Sequence, residues 1–183
     1  MIIKNARLSF PHIWTADRFS PDQDAKFSAM LIIEKGSEAH DLVTKELRNL
    51  RDEKWPKGAP SGLIICLRDG AEKEHLGGFS DDVVFFNATS KARPNIFDRD
   101  RTPLAEEDGR PYAGCYVNAS VDFWVQDNQF GKRINATLRG LQFAAHGEAF
   151  GGGRVAVADD FDDLEESEAP AGKPEAVADD LLG

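Results

Sequence analysis

The sequence has few of the residues from which catalytic and metal sites are built. Its only cysteines, Cys66 and Cys115, lie on separate apolar stretches. That rules against a disulfide framework or a thiolate metal site and leaves two free thiols suited to a reducing compartment. The four histidines, His12, His40, His75 and His146, are scattered, and none stands at ligand spacing from a cysteine or a carboxylate. No metal is assigned. No apolar run reaches the length of a membrane span, and MIIKNARLSF has the alternation of a strand rather than the charged-then-apolar layout of a signal peptide. The expected setting is the cytoplasm, with no membrane partner. Gly151, Gly152 and Gly153 lack both the strand-to-helix context and the Lys-Ser or Lys-Thr of a phosphate loop. The carboxylate pairs Asp81 and Asp82, and Glu106 and Glu107, fall in Gly- or Pro-rich surroundings that suit solubility better than acid–base chemistry. An enzyme is therefore not expected, and no cofactor is implied.

Positive charge is also in short supply, with a net charge of −10 over 183 residues. The shortage is local. Beyond Arg154 there are ten acids and one base, Lys173, whereas the body carries 21 bases and 22 acids and is nearly neutral. Such an asymmetry marks an interaction tail rather than an acidic domain. The tail is also rich in Pro, Ala and Gly, with too little apolar surface to offset the entropy of ordering, so it is expected to be disordered behind a glycine hinge.

What the body does have is alternation. In the stretch 114–143, Cys115, Val117, Ala119, Val121, Phe123 and Val125 alternate with Tyr116, Asn118, Ser120, Asp122, Trp124 and Gln126. This is the period of a half-buried strand. Asp127, Asn128 and Gly131 supply a turn, and a second arm continues through Ile134, Ala136 and Leu138. Parity slips at Gly140, which predicts a bulge there, bending the strand as a small barrel requires. Trp124 falls on the polar face beside Arg133 and Arg139. Such an indole either stacks on single-stranded nucleic acid or simply covers the hairpin.

The remaining elements follow in order. Ile2, Ala6, Leu8 and Phe10 predict a first strand whose inner face includes Ile2 and which Pro11 ends; the next segment, with His12 and Trp14, reads as a loop. Trp14 is either a stacking residue or a lid over a barrel end. KFSAMLIIE predicts a second strand, and Ser37 caps a helix carrying Leu42, Val43, Leu47 and Leu50 to about Lys54. LIICLR predicts a third strand. VVFFNATSKAR predicts another, with Phe85, Asn87, Thr89, Lys91 and Arg93 on its outer side. This set of one aromatic followed by polar and basic groups repeats what Tyr116, Trp124, Lys132, Arg133 and Arg139 offer on the hairpin. Residues 94–113 read as a long, mobile loop bordering a groove, with Phe97 as a stacking candidate.

The segments ARLSFPHIW, KFSAMLIIEK, FFNATSKARPNIFD and YAGCYVNASVDFWVQDNQFGKRINATLRGLQF, followed by a glycine hinge and acids, resemble the phage single-stranded-DNA-binding proteins. The resemblance implies a mainly β protein with one α-helix, an OB-fold (a Greek-key β-barrel) related in plan to the replication proteins of T7-like phages, with long loop insertions and a disordered acidic tail. It divides the chain into a DNA-binding domain over 1–150 and a hinge with tail over 151–183. It implies sequence-nonspecific binding of single-stranded DNA in phage replication or recombination, inside the bacterial host. Trp14, Tyr116 and Trp124 would stack on bases while Lys91, Arg93, Lys132, Arg133 and Arg139 meet phosphates. The tail would regulate access to DNA and recruit replication proteins such as a polymerase or helicase through Asp159, Asp160, Phe161, Asp162, Asp163 and Leu164, and through Asp179 and Asp180. The alternatives are a non-enzymatic adaptor, or a binder that also takes duplex DNA. The sequence is silent on oligomeric state.

Overall fold

Five long strands, carrying stretches of period-two alternation, close on one another. The computed structural model describes residues 1–18 and 20–151. In chain order they form β1 (Ile2–Asp17), β2 (Lys26–Glu34), the helix α1 (Glu38–Lys54), β3 (Ile64–Ile65), β4 (Arg68–Asp69), β5 (Val83–Ser90), β6 (Asn95–Phe97), β7 (Tyr116–Asn128) and β8 (Gly131–Ala145). Single 3-10 turns lie at Gly70–Lys73 and Glu106–Asp108. The long strands run side by side in the order β8, β7, β1, β2, β5, each neighbouring pair antiparallel. A short parallel contact, Ala88 beside Ala136 and Thr89 beside Thr137, then returns β5 to β8. Among the described residues the protein is thus mainly β, with one α-helix and a mixed sheet closed into a ring. On either side of that joint β5 and β8 diverge. At one end the gap is taken up by β3 running along β8 and β4 along β5; at the other, β6 runs along β8 from Asn95 beside Gly140.

The inner face is apolar and buried. Leu8, Leu31, Phe86, Val117 and Val121 have no exposed surface, and Ile134 and Leu138 retain 1% each. The Phe86 and Phe123 rings meet at 5.3 Å between centroids. Cys115 is buried and Cys66 half-buried; both are free, and burial pushes each thiol up to about 11. Ser37 caps α1 as expected, its Oγ accepting the His40 amide at 3.2 Å. The helix buries Val43 and Leu47 against the ring. Leu42, expected on that stripe, is 42% exposed because it falls off the i, i+4 line joining those two.

Four further expectations need correction. Pro11 does not end the first strand: β1 continues to Asp17, because the pairing with β2 is interrupted between Ser9 and His12, where an irregularity dispenses with the missing amide. Ile2 and Ile3 are exchanged. Asn5 has φ +54° and breaks the register with β7 between Ile3 and Ala6, so Ile3 is buried and Ile2 is 55% exposed. LIICLR divides into β3 and β4, each of two residues, that serve different neighbours. Residues 94–113 do not form an irregular loop. They hold β6, a bridge from Phe97 to Pro103 and a 3-10 turn, fastened by Arg110 on Asp98 at 2.5 Å. The bulge expected at Gly140 does occur: between Ser120–Gly140 and Val121–Leu138 the register slips, leaving Arg139 as the extra residue. The tail residues Asp159 to Leu164, with Asp179 and Asp180, lie outside the described residues. No helix among the described residues is long and apolar enough to cross a membrane.

Candidate nucleic-acid interface

Residues paired across neighbouring strands put their side chains on the same side of the sheet, so a row of neighbours across the ring lies entirely outside it if one member does. Asp122 stands beside Thr137, Thr137 beside Thr89, Thr89 beside Ser28 and Ser28 beside His12. The adjacent outward positions are Trp124 beside Asn135 and Asn87 beside Met30. Their inward neighbours Ala29, Ala88 and Ala136 are buried. The joint between β5 and β8 therefore carries an outer strip of hydroxyls and amides across strands from opposite ends of the ring.

Trp124 borders this strip. The residue is 45% exposed, and its Nε1 donates to Thr137 Oγ1 at 3.1 Å, which ties the indole to the hairpin while leaving much of it open to solvent. Cations stand next to it. Arg139, two residues past Thr137 and on the bulge, donates from Nε to Asp122 at 2.6 Å. Lys91, two residues past Thr89, reaches Asp24 at 3.1 Å and holds that carboxyl below its usual range. Both pairs are exposed, and such pairs contribute little, so either cation can exchange its partner for a phosphate.

Trp14, two residues past His12, packs against the core at its edge and lies under the Arg93 guanidinium, 5.3 Å from the ring centre. These two share a cleft of about 400 Å³ with Pro94 and Leu104. The other sequence candidates lie along the hairpin. Lys132 is near its tip beside Asp127, which is 3.8 Å from Lys54, and Arg133 stands beside Gln126, one outward row past Trp124 and Asn135. Tyr116 is at the opposite end of the hairpin, 5.8 Å from the Arg7 guanidinium. Arg7 donates to the carbonyls of Gly114 and Glu148 and lies 4.3 Å from the Phe150 ring, so this end is where residues 146–150 dock. The structure therefore places Trp124, Arg139 and Lys91 around one strip with Arg133 one row past Trp124, pairs Trp14 with Arg93, and leaves Tyr116 and Lys132 at the two ends of the hairpin. Sequence reasoning missed Ser28, His12, Asn135 and Thr137 as surface of the same strip. Their signal was only parity, and their adjacency depends on ring closure.

A closed ring whose outer side offers an aromatic, amides, hydroxyls and exchangeable cations is the kind of surface a binding module presents. The chain matches, over residues 1–171, the family described as Enterobacter phage Enc34, ssDNA-binding protein, and it belongs to that family. It is 36% identical over 176 residues to protein p50 of Acyrthosiphon pisum secondary endosymbiont phage 1, covering 91% of this chain and 94% of that protein. Among solved structures it resembles the single-stranded DNA-binding protein of bacteriophage Enc34 in complex with ssDNA. There the TM-score is 0.70 and the identity 24%, over 82% of this chain and 88% of that one. It also resembles gp2.5, a single-stranded DNA-binding protein encoded by bacteriophage T7, with a TM-score of 0.58 and 12% identity over 90% and 96% of the two chains. At those identities the structural likeness establishes a shared fold.

Proposed function

We propose that this protein binds single-stranded DNA with little sequence preference, along the outer strip of β8, β5 and β2 that Trp124 borders. The observation that carries the reading is the uninterrupted polar row from Asp122 to His12 with an open indole and two exchangeable cations at its margin. Bases stack on Trp124, phosphates take Arg139 and Lys91, and the amides and hydroxyls accept any base edge. The ring order with a single parallel joint supports reading the body, residues 1–150, as an OB barrel, a fold that takes oligonucleotides on its sheet face. Membership of this family supports a role in phage replication or recombination. For the tail, a net charge of −9 beyond Arg154 supports competition with DNA for the same cations and recruitment of replication proteins through its acidic, apolar-anchored segments.

Titration of the full-length chain and of a chain ending at Arg154 with poly-dT, followed by tryptophan fluorescence at low and moderate salt, tests both parts. Each phosphate contact contributes a slope of about −0.7 in log K against log salt. Contacts from Arg139 and Lys91 therefore predict a slope of about −1.4. The truncated chain is expected to bind more tightly, most at low salt. Binding independent of salt, or no quenching at all, contradicts the DNA reading and favours an adaptor. Identical titrations of the two chains contradict masking by the tail.

A further inference from the structure

One row beyond Asp122 and Thr137, on the same outer side, Ile2 stands beside Ser120, Ser120 beside Gly140 and Gly140 beside Asn95. Here the β6 hairpin rises against the β7–β8 surface and encloses a cleft of about 310 Å³ that Ile2, Phe97, Arg101, Asn118, Ser120 and Gly140 line. We propose that this cleft is a nucleotide subsite: one base of the bound strand enters it against Phe97, and the adjoining phosphate meets Arg101. The proposal rests on the reading that the outer strip binds single-stranded DNA, of which it is the continuation.

The floor suits a flat ring. A side chain at Gly140 would bring its Cβ within 2.9 Å of the Asn95 carbonyl, so glycine is what lets β6 run directly along β8, and the floor there is bare backbone. The edge is polar but mostly committed. Gln142 Nε2 donates to the carbonyls of Asp98 and Arg99, and its Oε1 accepts from Asn118 Nδ2 at 3.1 Å. That leaves the second Asn118 N–H and the Ser120 hydroxyl for a base edge. Ile2, 55% exposed, supplies an apolar wall opposite Phe97.

Arg101 is the second observation. Its φ is +72°, a conformation glycine adopts freely and arginine does not. The turn that imposes it is fully built. The Asp98 amide donates to the Thr102 carbonyl at 2.8 Å and the Arg101 amide to the Asp98 carbonyl at 3.0 Å, while the Asp98 carboxylate is held by Arg110. The Arg101 side chain is exposed, lines the cleft and makes no ion pair among the described residues. A strained backbone carrying an unengaged guanidinium at the mouth of a cleft is the arrangement in which the side chain, not the turn, requires arginine.

Arg101→Gly removes the cation and relieves the backbone, so the two roles separate. The expected result in the full-length protein is an unchanged or higher Tm together with dT-oligonucleotide binding weakened about 3- to 10-fold and a salt slope shallower by about 0.7. Phe97→Leu, which preserves the packing of β6, is expected to weaken binding at an unchanged slope. If both variants bind with wild-type affinity and slope while Trp124→Ala binds more weakly, the subsite is overturned and the strip stands. If all three bind as wild type, the strip itself is wrong and the subsite falls with it.

Discussion

Replacing Trp124 with alanine is expected to weaken binding of a dT oligonucleotide by about 5- to 150-fold, the equivalent of about 1 to 3 kcal/mol for one lost stacking platform. The indole is already oriented before DNA arrives, because its Nε1 is bonded to Thr137 and its ring rests on the hairpin. Little ordering entropy is then spent on binding, and the loss falls towards the upper part of that range. Stability should hardly move, since the residue is 45% exposed and contributes little core packing. Trp124→Phe separates the terms, as it keeps a stacking face and loses only the hydrogen bond to Thr137. Equilibrium titration beside a thermal melt is the measurement. A large drop in Tm with unchanged affinity would make Trp124 a structural cover for the hairpin.

Phe86→Ala should show the opposite pattern. Phe86 is fully buried in the ring, beside Phe123 at 5.3 Å, on the strand that closes the ring and two residues before the joint with β8. Truncating a buried phenylalanine costs about 3 to 5 kcal/mol through lost transfer and the cavity left behind. For a domain of this size that lowers Tm by roughly 6 to 20 °C. The joint it supports is short, Ala88 and Thr89 against Ala136 and Thr137, so the ring has little redundancy there. Chemical denaturation with the midpoint displaced and the slope unchanged is the expected observation. A variant as stable as wild type would mean that the ring is not held together at this seam.

The hairpin and helix were legible in the sequence because their signals are local. Alternation from Cys115 to Val125 persists through the strand, and Ser37, Val43 and Leu47 mark one capped helical stripe. The β1 inversion was hidden because backbone conformation decided it. Asn5 and Phe10 both have positive φ, and no hydrophobic pattern announces that at a residue other than glycine. The ordered segment 94–113 looked irregular because β6 has only three residues and gains its order from β8, far along the chain. The candidate interface was half visible. Trp124 and Arg139 stood out as an aromatic and a cation on a polar face, whereas Thr89 and Thr137 become one surface only when two strands nearly fifty residues apart meet in parallel.

Amide chemical-shift mapping of the isotopically labelled protein with a short dT oligonucleotide addresses most directly whether a DNA strand crosses the outside of the ring at its seam. The account predicts the largest shifts at Ser28, Thr89, Asn135 and Thr137 and at the Trp124 indole N–H, with α1 unaffected. Shifts concentrated on α1 or on the inner end of the helix stripe, with Thr89 and Thr137 silent, would contradict it.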